Sequence, residues 1–353
     1  MKKHNFSAGP SILPQSVLQK ASEAVIDFNQ SGLSLIEISH RSSAFVDVME
    51  SARALSLELL GLQNKGYQAL FLQGGASLQF IMVANNLLEK KAGYLNTGTW
   101  ANNAIKEAKH FGSILELASS KDSNFNHIPK NYTIPEGLDY FHVTSNNTIF
   151  GTQLQDFPNA SPLVCDMSSD IFSRSLDFSQ FDLIYAGAQK NMGPAGTTLV
   201  IVKEDILGKV SRSIPSMMDY KVHIDKKSMF NTPPVFAVYV SLLTMQWLKD
   251  LGGIKAIEKE NQRKAQLVYD AIDQSDVYVG FAAKEDRSVM NATFTLAEGA
   301  DAETFGQMVK SAGINGLNGH RVVGGYRASM YNALPLESVQ VLADVMNEFN
   351  RKG

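Results

Sequence analysis

The stretch DLIYAGAQKNMGPAG, residues 182–196, contains an apolar run from Leu183 to Ala186 that ends in small residues. It delivers Lys190 into a loop that holds Gly193, Pro194 and Gly196. A short uninterrupted apolar run bounded by turn residues has the pattern of a strand buried on both faces. A solvated surface lysine needs no such setting, whereas a lysine that bonds covalently to a ligand does.

The same scheme recurs on either side. YQALFLQGGASLQFIMVANNLL (67–88) reads as a buried strand over 67–72, a Gly-Gly turn and a helix from about Ser77. AGYLNTGTWANNAIKEAKHFG (92–112) repeats strand then helix. DYFHVTSNNTIFGTQ (139–153) and SPLVCDMSSD (161–170) are further apolar runs ending in small or polar residues. Amphipathic helices are predicted over 16–30 and 47–62. Apolar runs alternating with helices give an α/β fold with a mainly parallel sheet covered on both faces.

After about residue 257 the texture changes. A helix (257–273), two strand-like runs (277–283 and 288–296), a helix (301–312), RVVGGYRASMY and a last helix with Pro335 in its opening turn read as a smaller α/β unit. The expected organisation is an N-terminal segment 1–15, a large domain 16–257 and a small C-terminal domain 258–353.

Composition narrows the function. The chain has 353 residues, 44% of them hydrophobic and 19% charged, with a formal net charge of −3. That balance offers no electrostatic footprint for nucleic acid or an anionic membrane. The single cysteine, Cys165, rules out an internal disulfide and suits a reducing cytosol, so a cytoplasmic location is expected. MKKHNFSAGP lacks an apolar run after its lysines, so no secretory signal is expected, and no run approaches the ~18 apolar residues of a membrane span. The seven histidines form no His-x-x-x-His pair, so no metal site is expected.

Ligands of open α/β sheets bind outside the carboxyl ends of the strands. The polar residues after the strands are Gly74–Ser77, Trp100, Thr148, Asp166 and Gln189–Lys190. Ala76 and Ser77 stand at a helix N-terminus, where free amides and the helix dipole suit a phosphate, although an ordinary tight turn looks the same. Asp166 and Lys190 end apolar runs that neighbouring strands of one sheet would bring into one pocket. A carboxylate there holds a pyridine nitrogen protonated, and a lysine carries an aldehyde as a Schiff base. Taken singly, the aspartate also reads as a helix cap and the lysine as a surface charge. Trp100 suits stacking on a flat ring or plain packing at a helix start. His40, Arg41, His320, Arg321 and Arg327 supply donors for a small, multiply anionic substrate, or are solvated surface charges.

Nearly end to end, these stretches match one family. NFSAGPSILP (5–14), ISHRSSAF (38–45), FLQGGASLQF (71–80), TSNNTIFGTQ (144–153), CDMSSDIFSR (165–174), YAGAQKNMGPAG (185–196), MFNTPPVFAVY (229–239) and GHRVVGGYRASMYNALP (319–335) carry the match. The chain resembles the phosphoserine aminotransferases, a family within class V of the fold-type I pyridoxal-phosphate enzymes.

The resemblance implies amino transfer between glutamate and 3-phosphooxypyruvate, giving 2-oxoglutarate and phosphoserine, in serine biosynthesis. It implies pyridoxal 5'-phosphate held by Lys190 as a Schiff base, with Asp166 on the ring nitrogen, Trp100 on the ring face and Thr148 on the 3-oxygen. Ala76, Ser77 and Gln189 would meet the cofactor phosphate, joined by Asn231 and Thr232 of a second subunit in a homodimer with shared sites. Arg327 would bind the substrate carboxylate. His320 and Arg321, with His40 and Arg41 from across the interface, would bind the substrate phosphate. The N-terminal segment would pack near the active site and the small domain. Some members carry Arg where this chain has Ser77, and Ser where it has Ala8.

The nearest competing reading is another class V enzyme, acting on unphosphorylated amino acids or as a cysteine desulfurase. A desulfurase needs a mobile thiol, whereas Cys165 ends an apolar run where burial is expected. A non-catalytic binder would not need both Lys190 and Asp166, and a nucleotide binder would show a glycine fingerprint that is missing here.

Overall fold

The computed structural model describes residues 3–352; Met1 and Lys2 of the expected N-terminal segment, and Gly353, lie outside the described residues. The strand β1 (His4–Asn5) precedes α1 (Gln15–Ile26) and α2 (Ser43–Leu59). The strand β2 (Tyr67–Leu72) turns through Gly74 into α3 (Gly75–Leu87), and β3 (Lys91–Asn96) leads to α4 (Thr99–Ala108). Next come β4 (Ser113–Ser119), β5 (Phe141–Thr144), and a small ladder of β6 (Asn146–Asn147) and β7 (Thr152–Gln153). The strands β8 (Leu163–Asp166) and β9 (Leu183–Gly187) follow, and β9 passes into the one-turn helix α5 (Ala188–Asn191). After β10 (Thr198–Lys203) come α6 (Tyr220–Asp225), α7 (Val235–Asp250) and α8 (Ile254–Asp273). The chain closes with β11 (Tyr278–Gly280), β12 (Asn291–Leu296), α9 (Ala302–Ser311), β13 (Ile314–Asn315), β14 (Tyr326–Ser329) and α10 (Leu336–Lys352).

The main sheet has the order β2-β10-β9-β8-β5-β3-β4. Its strands pair in parallel except β10, which is antiparallel to both neighbours. The cause is chain length: only residues 188–197 separate β9 from β10, too few for the dozen or more that a parallel crossover needs.

Successive residues of each strand serve opposite faces. Leu199 and Ile201 pack with Phe45, Met49, Val238 and Met245 of α2 and α7. Val200 and Val202 pack with Phe80, Val83 and Ile105 of α3 and α4. Helices on both faces leave the strand ends as the open rim where polar residues gather.

A second core lies under the antiparallel sheet β11-β12-β14. It joins Val268 and Ile272 of α8, Phe305 of α9 and Leu342 and Met346 of α10. Phe6, fully buried, belongs to this core, because β1 pairs in parallel with β13. Helix α8 spans the two bodies: Ile254 and Ile257 pack in the main core, Ala265 to Ile272 in the second.

Element ends differ from the sequence reading in several places: α2 ends at Leu59, α8 begins at Ile254 rather than 257, and β11 and β12 are shorter than the runs 277–283 and 288–296. Helix α1 stops at Ile26 rather than 30, since Asn29 and Gln30 take left-handed φ of 55° and 57° and Asp27 accepts from Gly32 N at 2.9 Å. Helix α2 begins at Ser43 rather than 47, which brings Phe45 into the core. Pro335 stands just before α10, its carbonyl accepting from Ser338 N at 3.0 Å, rather than within the first turn.

Candidate active site

The strands β8 and β9 are neighbours, with Asp166 opposite Tyr185, so both carboxyl ends open on the same rim. Asp166 is the last residue of β8 and Lys190 lies in the helix after β9. Asp166 is only 4% exposed, and burial raises its carboxyl above the ordinary value, opposed by Lys190 and by Ser168. Ser168 donates to Oδ1 twice, from its backbone N at 2.9 Å and its hydroxyl at 2.6 Å. Both bonds fall on one oxygen, which leaves Oδ2 for a partner arriving from the pocket.

Burial pushes Lys190 below the usual lysine value; Asp166 pulls it back and Arg327 adds to the depression. A depressed lysine is neutral more often, and a neutral amine is the nucleophile and base. Its Nζ lies 5.2 Å from the centre of the Trp100 ring. Trp100 follows the first residue of α4, and its Nε1 donates to Thr148 Oγ1 at 3.1 Å.

Arg327 lies in β14, and its guanidinium crosses to the main body, donating to Thr148 O at 3.0 Å. Its Nε is buried without a hydrogen-bond partner among the described residues. An orphaned charged donor beside Lys190 is a place for an incoming carboxylate. His320 sits in the loop before β14, and burial, then Arg327 and Arg321, lower its pKa. Arg321 is exposed.

The helix α3 opens through its cap Gly74 and first residue Gly75, whose φ of 94° and 66° favour glycine. A Cβ on Gly74 would lie 2.5 Å from Leu78 Cδ2, so no other residue fits that turn. The amides of Ala76 and Ser77 lie in the first turn, where the helix has no carbonyls for them, and no acidic side chain occupies that turn. Gln189 is half-buried next to Lys190.

The structure therefore brings together Lys190, Asp166, Trp100, Thr148 and Arg327, with His320 near by. Asn231 and Thr232 face outward: Asn231 Nδ2 donates to Gln73 Oε1 at 3.2 Å, and Gln73 Nε2 donates to Thr232 O at 2.9 Å. His40 and Arg41 precede α2, and no hydrogen bond or ion pair among the described residues ties their side chains to the pocket. The sequence reading missed Ser168 and Ser11, whose hydroxyl donates to Lys190 O. A serine two positions after a carboxylate is the only sequence signal for the first; the second has none.

A family model described as Aminotransferase class-V matches residues 3–342. The chain is 68% identical to the phosphoserine aminotransferase of Flavobacterium psychrophilum, over 100% of both chains. The chain belongs to the phosphoserine aminotransferase family, within the class-V aminotransferases. The solved phosphoserine aminotransferase of Bacillus circulans subsp. alkalophilus superposes with a TM-score of 0.96 at 44% identity, covering 99% of each chain. A PLP-bound phosphoserine aminotransferase from Trichomonas vaginalis superposes at 0.93 and 35% identity, covering 98% of this chain and 100% of that one.

The residues of this family member fit such a group. The half-buried Lys190 amine would take the aldehyde, Oδ2 of Asp166 would meet the ring nitrogen, the Trp100 indole beside the amine would cover the ring, and the first-turn amides of α3 would hold the phosphate. Cys165, by contrast, is fully buried, and burial with Asp170 and Asp166 raises its thiol far above the reactive range. This disfavours desulfurase chemistry.

Proposed function

We propose that the chain transfers the amino group of glutamate to 3-phosphooxypyruvate, releasing 2-oxoglutarate and phosphoserine, as a homodimer in the cytoplasm. The observation that carries this is Arg327, whose unpartnered Nε lies beside Lys190 with His320 near by. The setting suits a substrate with an α-carboxylate and a second anionic group.

The cofactor is pyridoxal phosphate. When bound, its conjugated ring accepts the electron pair left when the substrate's Cα–H bond breaks, and its aldehyde carbon carries the amino group between the two substrates. Lys190 Nζ would hold the cofactor's aldehyde carbon and, when free, would take the proton from the substrate's Cα. Asp166 Oδ2 would hold a proton on the ring nitrogen. Trp100 would cover the ring and shield it from water, while Thr148 would meet the ring oxygen. Ala76, Ser77 and Gln189 hold the phosphate, and Asn231 and Thr232 of the partner subunit would complete that cradle.

Arg327 grips the α-carboxylate that all the substrates share. His320 and Arg321, with His40 and Arg41 of the partner, would take the phosphate in one half-reaction and glutamate's side-chain carboxylate in the other. With one unit boundary placed near residue 257 in α8, this site lies where the two bodies of each subunit meet a second copy.

The test is spectroscopic. The purified protein should be yellow, lose that absorbance on adding glutamate, and regain it with 3-phosphooxypyruvate but not with pyruvate. Recovery with pyruvate to the same extent would favour an aminotransferase for unphosphorylated substrates.

A further inference from the structure

The helix that carries Lys190 is held from outside its own sheet. On one side Ser11 N donates to Gln189 O at 2.9 Å, and the Ser11 hydroxyl donates to Lys190 O. On the other side Asn191 Oδ1 accepts from Asn332 N at 2.8 Å, while Asn191 Nδ2 donates to Ile171 O. Asn332 is locked in turn: its Nδ2 donates to Phe172 O at 3.0 Å, and its Oδ1 accepts from Asn261 Nδ2 at 2.8 Å. The turn that carries Asn332 is clamped by Lys264, whose buried Nζ donates to Met330 O, Tyr331 O and Leu334 O at 3.1, 2.8 and 3.2 Å. Tyr331 also donates to Ala8 O at 2.7 Å, tying the N-terminal strap to the same turn.

The strap, through β1, and the turn both ride on the second body, and so does Arg327, five positions before Asn332. Lys190 thus shares one hydrogen-bonded frame with the arginine that faces it.

Resting on the reading that Lys190 bonds the cofactor and Arg327 the substrate carboxylate, we propose that Asn191 is a positioning residue. It sets the register of Lys190 against Arg327 through Asn332. Ser11 of the strap also holds α5, but only through the backbone carbonyls of Gln189 and Lys190. The helix is a single turn, too short to hold itself, and Asn191 is its one side chain hydrogen-bonded to both bodies. The side chain touches no reacting atom, so its effect appears as misplacement of the amine. Binding of the distal phosphate should change little.

Asn191→Ala tests this with three readouts on the full-length protein. The pH midpoint of the colour change of the cofactor-loaded protein should move by about one unit or more. Covalent uptake of pyridoxal phosphate by the stripped protein, followed by absorbance, should slow about tenfold. Turnover of phosphoserine should fall ten- to a hundredfold while its KM changes less than threefold. Asn332→Ala keeps the backbone donor but loses the anchors on Phe172 and Asn261, and should move all three readouts the same way by less. It decides the matter if Asn191→Ala does not fold. Wild-type colour midpoint, uptake and turnover in a folded variant would overturn the proposal. Borohydride reduction keeps the two readings apart. A reduced adduct on Lys190 in every variant leaves the cofactor assignment standing whatever Asn191 does; an adduct on another lysine removes the assignment itself.

Discussion

Asp166 illustrates how one residue trades stability for chemistry. Its carboxyl is raised by burial, so the native state holds the proton to higher pH than the unfolded chain does. Stability from this group is therefore lost as pH rises through the native value, and at pH 7.5 the charge is a cost until a ring nitrogen meets it. Asp166→Asn should leave the cofactor-free protein melting no lower than wild type at pH 7.5, while turnover falls by about 10²–10³. Scanning calorimetry beside the transamination assay checks both halves. Ser168→Ala should cost about tenfold in turnover by removing one of the two bonds that fix the carboxylate at Oδ1, the backbone bond remaining. At His320 the sign is different. Its pKa lies below the usual histidine value, so it is uncharged at neutral pH in the free protein and gains charge only as pH falls. Phosphoserine binding by wild type should therefore strengthen relative to His320→Asn between pH 7.5 and 6, measured by titration of the absorbance change.

At the scale of elements, the sequence marked the site wherever an apolar run stopped. Lys190, Asp166 and the Gly74 turn were legible because a buried strand must end in something polar at the rim. The reversed strand β10 went unread in the sequence: an apolar run does not announce its direction, which follows from the short link after β9. The early end of α1 was hidden for a similar reason, since Asn29 and Gln30 are acceptable in a helix until the chain turns back through Leu33. The asparagines that lock α5 carry no periodic signal at all. Helix α8 hides a further group, Lys264, fully buried against three carbonyls and pushed down to about 7 by burial. From about pH 7 upward to its ordinary value the unfolded chain holds this proton more firmly, so Lys264 makes stability rise with pH in that window. Against Lys264→Met, wild type should gain about 1–3 kcal/mol of relative stability between pH 7 and 9, by denaturant unfolding at each pH. No change across that window would mean that the three carbonyls keep the ammonium charged.

The whole molecule leaves apolar side chains outside beside the segments that would serve a second subunit. Leu33 and Ile36 are 51% and 62% exposed near His40, and Phe230 and Phe236 are 38% and 37% exposed near Asn231. A second copy seated there would cover these large apolar groups, as the proposed homodimer requires. Sedimentation should show a dimer, and Ile36→Glu with Phe230→Glu should yield monomers that bind the cofactor more weakly. Across that interface Arg41→Ala, like Arg321→Ala, should weaken phosphoserine ten- to a hundredfold, whereas Arg327→Ala should harm every amino acid alike. The central claim is that these charges select a phosphorylated amino acid. The most direct measurement is kcat/KM for phosphoserine against serine, with 2-oxoglutarate as acceptor, at one pH and salt concentration. Several charge-assisted contacts predict a preference for phosphoserine of at least about 10³. Serine turned over as efficiently as phosphoserine would contradict the account.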